Sequence, residues 1–300
     1  MHELQQENFS SMRPLISLIT PSYNQNKYLE QTIQSVISQK YPNLEYIIMD
    51  GGSNDGSLNT IAKYESHLAY WQTGTDGGQY DAVQQGFLHS HGEIMGYLNS
   101  DDLYFPWTLQ VVGQIFSAFP QLQWLTTSRP CATGVHGHFP LEHTHHNWSR
   151  RWFLSTRGKL MKSRGFIQQE ATFWRRSLWE KAGAYLDTGL QYAGDFELWS
   201  RFFEHAIPAT VDIPLAMFRL HDDQKTSNID KYLLEAEKVL SRYSLPIRIP
   251  LFFIRLLNQI YLKTGSHKNW FDARCDNVAY DIHADSWVYT KCLEWRDFTF

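Results

Sequence analysis

The stretch LEYIIMDGGSNDG (Leu44–Gly56) decides the fold: a short, mostly apolar run stops abruptly at an acid and a glycine-rich turn. A run of that length and character fits a strand covered on both faces, as strands of parallel sheets are. Its glycines let a ligand approach the backbone closely and leave Asp50 at the strand tip. The same event recurs three times. LISLIT (15–20) runs into Pro21–Asn24, LAYWQT (68–73) into Asp76–Gly78, and EIMGYL (93–98) into Asn99–Asp102. In an open α/β sheet, ligands lie beyond the carboxyl ends of the strands, so these four segments are predicted to meet along one edge.

Between the strands lie helical patterns: YLEQTIQSVISQ (28–39) with Leu29, Ile33, Val36 and Ile37 in register, SLNTIAKY (57–64), YDAVQQGFLHS (80–90), and a helix opened by Pro106 that carries Leu109, Val112 and Phe116. Strands alternating with helices predict a mostly parallel sheet flanked by helices. Beyond Leu122 the pattern loosens into a strand at LQWLTT, a long loop over Arg129–Trp148, a helix near Trp152–Met161, a strand at ATFW, a short helix at SLWEKAG, a longer helix from about Asp195, and two short strands within Ile207–Leu220. Helical runs at Tyr232–Tyr243 and Pro250–Lys263 precede an aromatic, mixed-charge tail. The predicted organisation is a tail over 1–13, one Rossmann-like α/β domain over 14–228, and a C-terminal helical extension over 229–300.

With 43% hydrophobic and 19% charged residues, the 300-residue chain has the composition of a folded globular protein. A net charge of −4 gives no general attraction for polyphosphate backbones, so nucleic acid is not an expected partner. Cys131, Cys275 and Cys292 form no CxxC pair and fit structural thiols in a reducing compartment. No apolar segment approaches the ~20 residues that span a bilayer, and the N-terminus lacks a signal-peptide core, so a cytoplasmic location is expected. Residues 247–264 combine an apolar face with Arg248, Arg255 and Lys263; they suit either peripheral contact with the inner membrane face or a helix packed on the main domain.

Two of the strand ends carry chemistry. Adjacent carboxylates at Asp101 and Asp102 repel unless a cation, hydrogen bonds or solvent offsets them, and one helix cap accounts for only one of the two acids. Mg²⁺ or Mn²⁺ held by one carboxylate and completed by substrate phosphates is the economical reading. The loop after Asp50 reads equally as a nucleotide pocket or as a tight turn in which Asp55 or Ser57 caps the next helix. The histidines at 136, 138, 143, 145 and 146 lack a zinc-ligand spacing, and Trp174, Trp179 and Trp199 are expected in the core rather than in a sugar-stacking role.

Taken together, PSYNQ, IIMDGGSNDGS, DGGQYDAVQQGF and GEIMGYLNSDDLYFP occur in the order seen in family 2 glycosyltransferases, and the chain resembles that family over about residues 14–225. The resemblance implies a GT-A fold and inverting transfer from a nucleotide-diphosphate sugar to the hydroxyl of a glycan or lipid-linked acceptor, in polysaccharide or glycolipid biosynthesis. It implies that Pro21, Tyr23 and Asn24 line the nucleotide pocket, that Asp50 accepts from a base N–H, and that Asp76 completes the base or ribose side. Asn99-Ser100-Asp101 takes the place of the family's DxD, which makes Asp101 the metal ligand and Ser100 a ribose contact. YAGDFELWSRF resembles the family's acid motif and makes Asp195 the catalytic base. Gln169 falls near the pyrophosphate, His221 near the metal, and Lys225 within reach of the diphosphate.

The sequence departs from the family at Asn99, where an acid is usual, and at Val83 and Gln84, where Arg and Asn are usual. These departures keep open a noncatalytic, nucleotide-sugar-binding or glycan-binding alternative. A phosphate-ester hydrolase would also place acids at strand ends but leaves the Asp195 motif without a role.

Overall fold

The computed structural model describes residues 13–134, 137–141, 148, 150–155, 166–221, 224, 228–243 and 276–291. Its main sheet starts with β1 (Ile16–Ser22), β2 (Leu44–Asp50), β3 (Tyr70–Thr73) and β4 (Ile94–Tyr97), and continues with β6 (Trp124–Thr127), β9 (Phe173–Arg175) and β10 (Ala209–Val211). A hairpin of β12 (Asp276–Asp281) and β13 (Ser286–Thr290) completes nine strands in the order β13-β12-β10-β6-β9-β4-β1-β2-β3. β1 is parallel to both β2 and β4, β2 to β3, and β10 to both β6 and β12. β9 runs antiparallel to β4 and β6, so the turn preceding it reaches the edge where those strands end.

Alternation along the strands feeds two cores, one on each face. From β1, Ile16 and Leu18 join α1 (Asn26–Ile37), α2 (Ser57–Lys63) and α4 (Thr108–Ala118), whereas Ile19 joins α3 (Gln79–Leu88). β2 divides likewise, with Tyr46 and Ile48 on one side and Ile47 and Met49 on the other. Each face is covered, which is why LEYIIM shows no polar alternation. The second core is aromatic: Trp124, Trp174 and Phe202 pack with Trp199, and α6 (Arg176–Lys181), α7 (Gly194–His205) and α8 (Ile229–Leu240) close over it. Trp174, Trp179 and Trp199 are buried in that core, as their helix and strand positions suggested.

Three elements differ from the sequence reading. The expected loop over 129–148 contains β7 (Cys131–Gly134) and β8 (Gly137–Pro140), an antiparallel pair. With β5 (Leu103–Tyr104) and β11 (Ala216–Arg219) it forms a second, four-stranded sheet. Each strand has at most four residues, and the partner that fixes β7 is distant β11, so local periodicity carries no trace of it. Second, the aromatic tail supplies the β12–β13 hairpin, paired to β10. Third, α8 does not stand apart, because Leu233, Ala236, Val239 and Leu240 are buried in the same core as α7. The helix over Pro250–Lys263 and the membrane contact over 247–264 lie outside the described residues. Among those described, no helix is long and apolar enough to cross a membrane.

Helix α3 lies close on the sheet because residue 86 has no side chain. A Cβ there would sit 2.6 Å from Ile19 Cγ2 and 3.2 Å from Met49 Cγ. Both neighbours belong to the packed core, and overpacking of this kind costs typically ~1–3 kcal/mol, more than the ~1 kcal/mol that alanine gains over glycine in a helix. Gly86→Ala is therefore expected to lower the urea midpoint without changing the slope of the transition.

Candidate active site

The loops after β1 and β2 are stitched to each other. Asn24, at φ 52°, donates its backbone N–H to Ser53 Oγ at 2.8 Å, and its Oδ1 accepts from Asn54 N at 3.0 Å. Asp55 accepts from Asn26 N (2.9 Å) and from Ser57 N (3.0 Å), so it ties the start of α2 to the neighbouring loop. The turn in which Asp55 accepts from the start of the next helix is thus present. Asp50 is buried at the β2 tip, where its carboxylate accepts from Gly52 N, Ser53 N, Ser53 Oγ and the Thr73 hydroxyl. Beside it, a Cβ on Gly51 would come 2.9 Å from Asp76 Oδ2 and 3.3 Å from the Tyr23 ring. Asp76 and Tyr23, which is 62% exposed, thus lie against the bare backbone of Gly51. Asp76 also accepts from Gly78 N at 2.8 Å, at the entry to α3. Pro21 is buried within β1, opposite Met49.

From α3 the contacts lead to the end of β4. Gln79 Nε2 donates to Asn99 Oδ1 at 2.6 Å, and Asn99 Nδ2 reaches Asp102 Oδ2 at 3.2 Å. The Thr32 hydroxyl, on α1, donates to the Ser100 and Asp102 carbonyls at 2.8 Å each and fixes the turn from beneath. Ser100 and Asp102 are buried, whereas Asp101 is partly open. Asp102 also accepts from Arg219 N at 2.9 Å; burial, then the charges of Asp101 and Glu170, hold its carboxyl well above the usual range. The Asp101 carboxylate faces His221, Oδ2 to Nε2 at 2.9 Å, and His221 Nδ1 is buried without a partner. The imidazole packs on Tyr28, with ring centroids 4.7 Å apart. Gln169, in the turn before β9, donates to the Tyr97 carbonyl at 2.6 Å and lies 3.4 Å from Asn99 Nδ2.

This donor set suits a divalent cation in part. One carboxylate and one imidazole stand side by side, and His221 keeps a buried nitrogen uncommitted. Among the described residues no three His, Cys, Asp or Glu side chains form a ready cage, so the remaining positions would fall to substrate oxygens, as is usual for Mg²⁺ at phosphate sites. His138 Nδ1 lies 2.9 Å from Thr133 Oγ1, and the other clustered histidines and Lys225 lie outside the described residues.

Asp195 stands in the first turn of α7. The residue is half-buried, but its Oδ1 is sealed from solvent and has no hydrogen-bond partner among the described residues. Burial raises its pKa to about 7, against partial relief from backbone N–H groups and the Tyr232 hydroxyl. Glu170 is buried nearby and is also raised to about 7; after burial, the charges of Asp101 and Asp195 contribute. Glu170 therefore senses both acids, which brings the strand-end pair and the helix acid into one electrostatic neighbourhood. Glu197 points elsewhere, into a buried ion pair with Arg201 at 2.8 Å, as its two-residue offset from Asp195 suggested.

The sequence reading missed Arg219, whose guanidinium donates to the Asp101 carbonyl (2.6 Å) and to Gln31 Oε1 (2.9 Å) while lying over the Tyr28 ring. It also passed over Glu170, although an acid directly before a buried strand was a visible signal. Tyr80 gave none: its hydroxyl bonds the Tyr192 carbonyl at 2.8 Å, and its ring fits only because residue 194 is glycine.

A mostly parallel sheet with loops of this kind along its carboxyl edge defines an α/β protein of the GT-A type. The chain belongs to glycosyl transferase family 2, whose model matches residues 17–181. It is 41% identical over 90 residues to an uncharacterised glycosyltransferase of Mycobacterium tuberculosis, covering 30% of this chain and 34% of that one. It is 24% identical to a Rickettsia typhi glycosyltransferase over 247 residues, 77% of this chain and 71% of the relative. TuaG of Bacillus subtilis, described as a putative teichuronic acid biosynthesis glycosyltransferase, is 35% identical over 98 residues, which is 31% of this chain and 38% of TuaG. The chain thus spans about a third of the length of the Mycobacterium relative. In fold it matches S. aureus TarS 1-349 in complex with UDP-GlcNAc, with a TM-score of 0.61 at 17% identity, covering 85% of this chain and 74% of that 1-349 chain. A mannosyltransferase of Pyrobaculum calidifontis, solved with GDP-Man and Mn²⁺, gives 0.58 at 15% identity, with 85% and 72% covered.

The raised Asp195 carboxyl has a consequence for stability. The folded chain holds this proton up to about pH 7, whereas an ordinary aspartate releases it near 3.8. Folding therefore takes up a proton between those values, and the stability that this group contributes falls as pH rises through the window. Asp195→Asn, which cannot ionise, is expected to raise Tm relative to wild type at pH 8 and to lose most of that advantage at pH 4, as read by calorimetry in both buffers.

Proposed function

We propose that this chain is a metal-dependent, inverting glycosyltransferase that moves a sugar from a nucleotide-diphosphate donor to an acceptor hydroxyl in the assembly of a bacterial surface polysaccharide or glycolipid. The observation that carries the reading is Asp195, with a sealed and unpartnered carboxylate oxygen in the same neighbourhood as the Asp101–His221 pair. The polysaccharide setting draws on two relatives, TuaG and the O-antigen biosynthesis protein RfbC of Myxococcus xanthus. Mn²⁺ or Mg²⁺ draws on the donor set and on Mn²⁺ in the Pyrobaculum structure.

On this reading Tyr23 and Asp76 flank the base and ribose over Gly51, with Pro21 and Asn24 behind them. Asp50 would accept a base N–H in exchange for the Thr73 hydroxyl, the partner most easily turned away. Ser100 lies on the ribose side, and Gln169 near the pyrophosphate. Asp101 and His221 would hold the cation, which supplies charge stabilisation for the departing diphosphate. Lys225 is assigned to the same phosphates. Asp195 removes the acceptor proton as the oxygen attacks, and a pKa near 7 suits a base at neutral pH. The main unit is 14–228, with 229–300 as its C-terminal extension and 247–264 as a peripheral contact on the inner membrane face. A cytoplasmic location fits such a donor.

The test is a thermal-shift panel of UDP-, GDP- and dTDP-sugars with Mn²⁺ or Mg²⁺, followed by transfer assays with the stabilising donor. Asp101→Ala is expected to lose the metal-dependent part of the stabilisation. Asp195→Asn should keep donor binding and lose transfer by ~10²–10⁴-fold. Wild-type transfer in Asp195→Asn would remove the base assignment, and donor binding without any transfer in the intact chain would favour the noncatalytic alternative.

A further inference from the structure

The segment leading into α7 is held through its backbone by a side chain from another helix. Three consecutive backbone N–H groups, those of Gln191, Tyr192 and Ala193, precede Asp195, and all three donate to a carboxylate from another helix. Glu235 of α8 accepts from Tyr192 N at 2.8 Å and Ala193 N at 2.9 Å through Oε2, and from Gln191 N at 3.1 Å through Oε1. A helix start carries a partial positive charge, and here the negative charge that meets the N-cap Ala193 and the two residues before it arrives from 42 to 44 residues further along the chain. No side-chain cap of α7's own takes that place. We propose that Glu235 is a positioning residue for the reaction, a carboxylate clamp that fixes the backbone carrying Asp195 and whose charge disfavours ionisation of that base. The inference rests on the assignment of Asp195 as the base.

Two properties separate this role from ordinary packing. The first is geometric. The clamp fixes residues 191–193, so Asp195 is aimed by α8 as well as by α7, and Tyr232, one helical turn before Glu235, lies against the Asp195 carboxyl. The second is electrostatic. The groups around Asp195 are Tyr80 on α3, Tyr97 on β4, Glu170 in the turn before β9, and Tyr232 and Glu235 on α8. Lys231 lies farther out, with its Nζ 3.4 Å from the Tyr192 hydroxyl. The tyrosines are held neutral by burial, which leaves Glu235 as a charge that opposes ionisation of Asp195 and Glu170 as an acid that the Asp195 charge itself holds up. Of these two, only Glu235 also grips the backbone.

The experiment compares Glu235→Gln and Glu235→Ala in the full chain. Gln keeps one carbonyl oxygen for Tyr192 and Ala193 but removes the charge, whereas Ala removes both. The primary readout needs no substrate: the Asp195 carboxyl is titrated by NMR in ¹³C-aspartate-labelled protein and assigned by its loss in Asp195→Asn. Its midpoint is expected to move to lower pH in Glu235→Gln. The second readout is the pH profile of transfer with the donor identified by the thermal-shift panel. Its acid limb should move in the same direction in Glu235→Gln, and Glu235→Ala should lose kcat by ~10-fold or more with donor KM little changed. An unmoved Asp195 midpoint in a folded Glu235→Gln protein overturns the inference, as does a Glu235→Ala enzyme with wild-type kcat. Retained transfer in Asp195→Asn is a different failure: it removes the base assignment whatever Glu235 does.

Discussion

A parallel sheet covered on both faces confines polar chemistry to its ends, and everything else in this structure follows from that confinement. Side chains in the middle of β1, β2 and β4 alternate into one core or the other, so neither face can admit a polar ligand. The carboxyl ends, by contrast, must turn sharply into helices on either face, and those turns expose backbone N–H groups that need acceptors. Asp50, Asp55 and Asp76 each accept from backbone N–H groups within a few residues of themselves. The same acids that finish the turns thereby form the rim of the candidate site. Fold and site are not separate properties here, because the turn chemistry that ends each strand is also what lines the cleft.

The electrostatics sharpen this point. The charges of Asp101 and Glu170 act on buried Asp102, and those of Asp101 and Asp195 act on buried Glu170. Such a cluster is unfavourable in isolation, since each charge opposes the next and none is well hydrated. The chain resolves it unevenly. Asp102 receives Asn99 and the Arg219 backbone, Glu170 receives Gln168, and Asp101 pairs with His221, while Asp195 retains an oxygen with nothing bound to it. Asn99 matters in this light. An acid at that position would add a further negative charge beside Asp102, whereas the amide donates to Asp102 and accepts from Gln79. The departure from the family pattern lowers the charge of the cluster and fastens α3 to the strand end.

The legible part of the molecule was the part specified by neighbours in sequence. LEYIIM could be read because burial on both faces removes polar alternation, and Leu29, Ile33 and Val36 because helical spacing is local. The four acidic or polar strand ends could be placed on one edge because parallel topology puts them there. What escaped notice was specified by distant partners. The β12 strand has one fully buried apolar residue, Val278, and owes its place to pairing with β10. Arg219 reads as an unremarkable end to a short strand, yet it meets Asp101 across more than a hundred residues. Glu235 is the clearest case, since its partners are backbone N–H groups, which have no letter in a sequence. A glutamate on the polar side of an amphipathic helix resembles any solvated surface acid until the fold brings a helix start against it.

These long-range contacts also divide the cleft into halves of different construction. On the nucleotide side, the loops after β1 and β2 hold each other through Asn24, Ser53, Asn54 and Asp55, all within about thirty residues and next to strands paired in register. That half is built by the sheet and is in place whenever β1 and β2 are paired. On the Asp195 side, the base is carried by α7, but its approach is fixed by α8, and Tyr80 fits only against the bare backbone of Gly194. Its geometry exists only when α3, α7 and α8 are docked together. A general base must stand within hydrogen-bond reach of the proton it removes, so its placement tolerates less error than a pocket that grips a large ligand at many points. It is consistent with that demand that the acid with the unpartnered oxygen is supported from three helices, and that the helix delivering the clamp belongs to the part of the chain that the sequence pattern had set aside as an appendage.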